Sequence, residues 1–87
     1  MTQRSAAVGL VDMFAQCDSE AELRAMVSQA ITLVLEYQFT PQETNSFVDL
    51  VCAGCTARAR MLPLQHPVHA APALFRDAAI QAGAYRP

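Results

Sequence analysis

The chain has 87 residues, of which 53% are apolar and 16% are charged, and its six basic residues are all arginine, giving a formal net charge of −2. This length excludes two domains, and residues 1–87 are expected to fold as one helical domain with a small core. Because no basic field attracts phosphate groups and no apolar run is long enough to cross a bilayer, we expect neither nucleic acid nor a membrane as a partner.

The first predicted helix runs from about Ser5 to Gln16. Val8, Val11 and Phe14 recur there at helical spacing, so this stripe is predicted to face the core.

The second predicted helix has the clearest start, because Ser19 and Glu22 form the S-x-x-E pattern of a capping box. Ser19 caps the helix and Glu22 reaches back to it. The helix continues to about Tyr37, although its β-branched residues make a strand the main alternative. It carries a broad apolar stripe formed by Leu23, Met26, Val27, Ala30, Ile31, Val34 and Leu35.

The third predicted helix opens with Thr40, Pro41 and Glu43, which combine an N-cap, a first-turn proline and a capping-box carboxylate. It should end near Met61, and its apolar residues are Phe47, Val48, Leu50, Val51 and Cys55. Only two residues separate it from the second helix. The sequence therefore predicts a tight helical hairpin between helices 2 and 3.

Pro63 and Pro67 predict an extended connection, poor in hydrogen bonds, over residues 62–71. The last predicted helix starts around Pro72 and ends at Gly83, a typical C-cap residue. Its apolar residues are Leu74, Phe75, Ala78, Ala79 and Ile80. Together these segments predict an all-α fold, a small four-helix bundle.

Side chains that can bind metal gather in two pairs, Cys52-x2-Cys55 and His66-x2-His69. The cysteines share one face of the third helix, and the connection can bring the histidines over them. Four such ligands suit tetrahedral zinc, so a small zinc-binding regulator is the alternative function. We favour the other interpretation, in which the cysteines are small buried residues, the histidines are loop residues and no cofactor is bound.

Residues 32–51 also have the order helix, short turn, helix, and a helix-turn-helix DNA-binding regulator is a second alternative. Gln42 and Asn45 are residue types that can read adenine from the start of the second of these helices. No arginine occurs between Arg24 and Arg58, however, and carboxylates lie on the same turns. Such a surface would repel phosphates.

Catalysis is not expected. Thiols and imidazoles are present, but nothing in the sequence shows that a nucleophile, a base and an orienting group converge. The three glycines do not form a phosphate-binding loop.

The apolar surplus of so small a chain has to be covered, and a second chain is the simplest cover. The second helix is apolar over more than one face, so it lies either at the centre of its own bundle or against another chain. The predicted interface consists of Leu23, Met26, Val27, Ile31, Val34 and Tyr37. We therefore expect a small non-catalytic protein–protein interaction module, such as a regulatory adaptor, an inhibitor or a chaperone-like protein, and a homodimer. Three cysteines without a signal peptide predict a cytoplasmic location.

Overall fold

The structure, a computed structural model, describes residues 3–87. Within that range the chain forms four α-helices and a 3-10 turn that precedes the last of them: α1 (Gln3–Ala15), α2 (Glu20–Glu36), α3 (Pro41–Ala59), the turn (Pro67–Ala70) and α4 (Ala71–Gln81). This part of the chain contains no strand. The predicted all-α bundle of four helices is confirmed, and the strand alternative for α2 is wrong.

A single cluster of buried apolar side chains holds the helices together. Phe14 from α1, Leu23 from α2, Phe47 from α3 and Phe75 from α4 are all fully buried. The rings of Phe14 and Phe75 lie with their centroids 5.6 Å apart. Burying one such side chain contributes about 1.5–3 kcal/mol, so each helix gains stability only by packing against the others.

The connection between α2 and α3 is as short as predicted, but the two helices do not pack along their lengths. Instead α3 packs chiefly against α1 and α4, and α2 packs chiefly against α4. Gln38 has a φ of +56°, in the left-handed region that redirects the chain. The Tyr37 and Phe47 rings then meet edge to face, with their centroids 5.8 Å apart. The tight turn of the hairpin prediction is therefore present. The prediction is corrected in one respect, because α2 and α3 do not pack side by side.

The two predicted capping boxes differ in the structure. At α3, Thr40 Oγ1 accepts a hydrogen bond from Glu43 N at 3.1 Å, and Glu43 Oε1 accepts one from Thr40 N at 2.9 Å. At α2, Ser19 Oγ accepts a hydrogen bond from Glu22 N at 3.1 Å, but the Glu22 carboxylate accepts its bond from Asp18 N. The capping box at α2 is half formed, because the Glu22 carboxylate accepts a hydrogen bond from the backbone N–H of Asp18 and not from that of Ser19.

The connection before α4 is more ordered than predicted. Pro67–Ala70 forms a 3-10 turn, and His66 Nδ1 caps it by accepting a hydrogen bond from Val68 N at 3.1 Å. Val68 is fully buried, which anchors the turn in the core. Proline needs no partner for an N–H at the first position of a turn, so Pro67 starts this turn instead of extending the chain.

Gly83 ends α4 as predicted. It has a φ of +74°, where a residue with a Cβ is strained. Gly83 N donates to Ile80 O at 3.0 Å and Ala84 N donates to Ala79 O at 2.8 Å, the two bonds of a Schellman motif. The segment after it is thereby turned back toward α3.

Candidate functional site

The two cysteines of the predicted zinc set are buried within α3. The Cys52 thiol donates to Pro72 O at 3.5 Å. Burial raises the pKa of the Cys55 thiol to about 12 and also raises the pKa of Cys52. In the metal-free chain both side chains are therefore neutral thiols near pH 7.

The two histidines are occupied by nearby backbone atoms. His66 Nδ1 bonds to Val68 N, and His69 Nε2 lies 2.9 Å from Pro63 O. Over residues 3–87, no group of three or more histidine, cysteine, aspartate or glutamate side chains is placed to hold a metal ion. The structure does not bring the four predicted ligands together, and their positions fit buried thiols and loop histidines.

Most of the predicted α2 interface lies inside the chain's own core. Four of its side chains are buried: Leu23, Val27, Ile31 and Val34. The other two, Met26 and Tyr37, are half-buried. Tyr37 is also part of the aromatic cluster at the turn. A second chain can reach the four buried side chains only by displacing α4 and α1, against which α2 packs.

Asn45, one of the two proposed adenine readers, is engaged by the chain itself. Its Nδ2 donates to Arg86 O at 2.7 Å, and Arg86 N donates to its Oδ1 at 3.0 Å. Gln42, the other reader, is exposed. The amide that a helix-turn-helix protein would direct at a base is thus paired with the backbone of a neighbouring segment.

Three large apolar side chains remain exposed beside one groove. Val8 of α1 is 55% exposed, Leu50 of α3 is 40% exposed and Met61, just beyond α3, is 83% exposed. The groove has a volume of about 310 Å³ and lies between α1 and α3; its lining residues are Arg4, Ala7, Val8, Val11, Leu50, Gly54, Ala57, Arg58 and Met61. It is called the α1–α3 groove below.

The floor of the α1–α3 groove is formed by small residues, which let the two helices approach closely. A Cβ added to Gly54 would lie 2.7 Å from Val11 Cγ2, well inside van der Waals contact. The helices run parallel: Gln3 Nε2 donates to Glu43 O at 3.2 Å near their starts. Arg58 pairs with Asp12 at the other end. The result is a shallow channel with small residues below and larger apolar side chains along its edges.

This groove does not follow from the periodicity of the sequence, which predicts that Val8 and Leu50 face the core. Both point outward in the structure. The signal that could have found the groove is a second stripe on the third helix, with residues at intervals of four, three and four: Leu50, Gly54, Ala57 and Met61. Two small residues between two large ones at this spacing are typical of a face on which another helix packs.

No family model matches this sequence, and neither a curated protein nor a solved structure matches it significantly. Among the described helices, none combines the length and the hydropathy that crossing a bilayer requires.

Proposed function

We propose that this chain is a small non-catalytic protein–protein interaction module whose binding surface is the α1–α3 groove. One observation carries the proposal: Val8, Leu50 and Met61 stay 55%, 40% and 83% exposed around a single apolar channel. Exposed apolar side chains that gather at one groove, instead of being scattered singly, are typical of an interaction surface. A regulatory adaptor, an inhibitor or a chaperone-like protein would use such a surface.

The chemistry of the remaining side chains supports a binding role over a catalytic one. All three cysteines are free and buried, and the buried Cys52 and Cys55 have raised pKa values. Both histidine rings are taken up by local backbone atoms. A catalytic nucleophile needs an accessible group with a base beside it. Free buried thiols also suit a reducing compartment such as the cytoplasm.

The test compares two charged substitutions on exposed leucines. Leu50→Asp introduces a carboxylate on the edge of the groove, and Leu35→Asp introduces one on α2, where Leu35 is 57% exposed. Each variant and the parent protein would be used to capture cross-linked partners from its own cells. A carboxylate buried without a partner costs upwards of about 2 kcal/mol, so Leu50→Asp should weaken capture about 30-fold or more. Leu35→Asp should capture the same partner as the parent chain.

Native mass spectrometry of the same three proteins completes the test, because it reports whether the parent chain covers the groove with a second copy. Circular dichroism would first establish that both variants keep the helical content of the parent. The proposal fails if Leu50→Asp and Leu35→Asp capture the same partners with the same yield and have the same subunit number.

A further inference from the structure

We propose that the α1–α3 groove takes an amphipathic helix of another protein, with acidic side chains flanking the apolar face of that helix. This inference rests on the proposed function and adds the shape and the charge of the occupant.

The helical shape of the occupant is inferred from two parallel rows of residues that line the groove. One row runs along α3 and ends just beyond it, and it consists of Leu50, Gly54, Ala57 and Met61; the row on α1 consists of Arg4, Val8 and Val11. Their intervals alternate between four and three, the spacing at which side chains of one helix interlock with those of a neighbour. The row from Leu50 to Met61 spans about three turns, or roughly 16 Å. An extended peptide repeats every second residue and would not match this spacing.

The negative charge of the occupant is inferred from the residues at the two ends of the groove. Arg4 lies in the first turn of α1 and Arg58 in the last turn of α3, and no carboxylate is among the lining residues. Arg4 makes no ion pair within the described residues. Arg58 pairs with Asp12, but a guanidinium has five N–H donors and keeps some for a second acceptor. In a chain of net charge −2 this groove is apolar, with Arg4 as an uncompensated cation at one end and the Arg58–Asp12 pair at the other, and carboxylates complement the guanidinium of Arg4.

The same arginines argue against a second copy of this chain as the occupant. A two-fold dimer through the groove would place the face that carries Arg4 and Arg58 against the identical face. Like charges brought together at an interface are unfavourable. A head-to-tail contact would need an apolar ridge elsewhere on the surface, and the other exposed large apolar side chains of residues 3–87, Leu35, Leu64 and Ile80, lie on three separate segments. A different protein therefore suits the groove better.

The probes for this inference are two synthetic helix-forming peptides of three to four turns. Both carry leucine on one face; the first has glutamate beside the leucines, and the second has lysine at the same positions. Two exposed charge pairs together change affinity by up to about tenfold. We expect the glutamate peptide to bind the parent chain about tenfold more tightly at low salt, by fluorescence anisotropy. The difference should shrink as salt is added.

Three substitutions show which part of the chain gives rise to the peptide binding and its charge preference. Arg4→Glu should abolish the preference for the glutamate peptide without unfolding the chain, because Arg4 is exposed and has no ion pair in residues 3–87. Leu50→Asp should weaken both peptides, and Leu35→Asp should weaken neither. Equal affinity for the two peptides, a preference that survives in Arg4→Glu, or no binding of the glutamate peptide would each overturn the inference.

The failure of this inference can be told apart from failure of the proposed function. If Leu50→Asp loses the cellular partner while the peptides show no charge preference, the groove binds a partner of another kind. If native mass spectrometry shows a dimer that Leu50→Asp dissociates, the occupant is a second copy of this chain. If Leu50→Asp changes neither capture nor mass, the groove is not a binding surface and both proposals fall.

Discussion

Gly54 shows how one residue sets the distance between two helices. It lies inside α3, where a glycine ordinarily destabilises the helix by about 1 kcal/mol relative to alanine. Here the missing side chain lets Val11 of α1 pack directly on the backbone of α3, since an added Cβ would lie 2.7 Å from Val11 Cγ2. The floor of the α1–α3 groove depends on this approach.

We expect Gly54→Ala to lower the free energy of unfolding by about 1 kcal/mol, because an overpacking cost of about 1–3 kcal/mol exceeds the gain in helix propensity. Urea denaturation would measure the change. Gly9→Ala is the matched control: Gly9 lies inside α1 with nothing within 4 Å of its added Cβ. That variant should gain about 1 kcal/mol.

The effect of Gly54→Ala can also be measured in a chain that carries Val11→Ala. With Val11→Ala in place the steric conflict is gone, so Gly54→Ala should then stabilise the chain. If Gly54→Ala stabilises the parent chain as much as Gly9→Ala does, α1 and α3 are not in close contact at this point.

Tyr85 anchors the segment after α4 to α3. Its hydroxyl donates to Asp49 Oδ1 at 2.9 Å, and Arg76 of α4 lies over its ring at 5.8 Å from the centroid. The hydrogen bond to Asp49, which is available only to the protonated phenol, raises the pKa of Tyr85 above its ordinary value. The folded chain therefore favours the neutral phenol more than the unfolded chain does.

This pKa gives the anchor a defined pH dependence. Its contribution to stability is fully present below the ordinary tyrosine pKa of about 10 and is lost as the pH rises through the higher pKa of the folded state. Ultraviolet titration of a Tyr37→Phe variant, in which Tyr85 is the remaining tyrosine, would measure that pKa. Adding Asp49→Asn should bring it down. A Tyr85 pKa that does not respond to Asp49→Asn would show that the hydrogen bond is absent in solution.

At the scale of elements, helix boundaries follow from local chemistry and were predictable. Thr40 and Glu43 satisfy the first free N–H groups of α3 with their own side chains, and Gly83 supplies the left-handed residue that ends α4. Such signals depend on a few neighbouring residues. The 3-10 turn at Pro67–Ala70 was missed because its cap is the ring of His66, a residue type not usually counted among caps.

The packing of α2 and α3 was not predictable in the same way. A short connection limits where α3 begins but not which helices it lies against, and here the aromatic rings at the turn and the packing of α1 and α4 on α3 decide that. The outward direction of Val8 and Leu50 was missed for the same reason. Periodicity shows that a helix has an apolar stripe, whereas only the position of the neighbouring helices shows which residues of the stripe stay uncovered.

For the whole molecule, stability rests on a core shared by all four helices. A chain of this size buries only about 60–65% of its unfolded surface, so no helix has a core of its own. The ring of Phe75 connects α4 to α1 through Phe14, and α4 in turn covers α2. Loss of the contact between Phe14 and Phe75 should therefore destabilise every helix and not α4 alone.

We expect Phe75→Ala to lower the free energy of unfolding by about 3–5 kcal/mol, because removing a fully buried ring costs its transfer free energy and leaves a cavity. For a domain whose total stability is near 5 kcal/mol, this leaves little or no folded population. When the parent chain is denatured with urea, its far-ultraviolet dichroism and its tyrosine fluorescence should change in one shared transition, since one core supports all the helices.

Ile80→Ala is the control on the same helix: Ile80 is 39% exposed, and the substitution should cost about 1 kcal/mol or less. Equal costs for the two variants would mean that α4 does not close the core, and separate transitions for the two signals would mean that the helices do not share one.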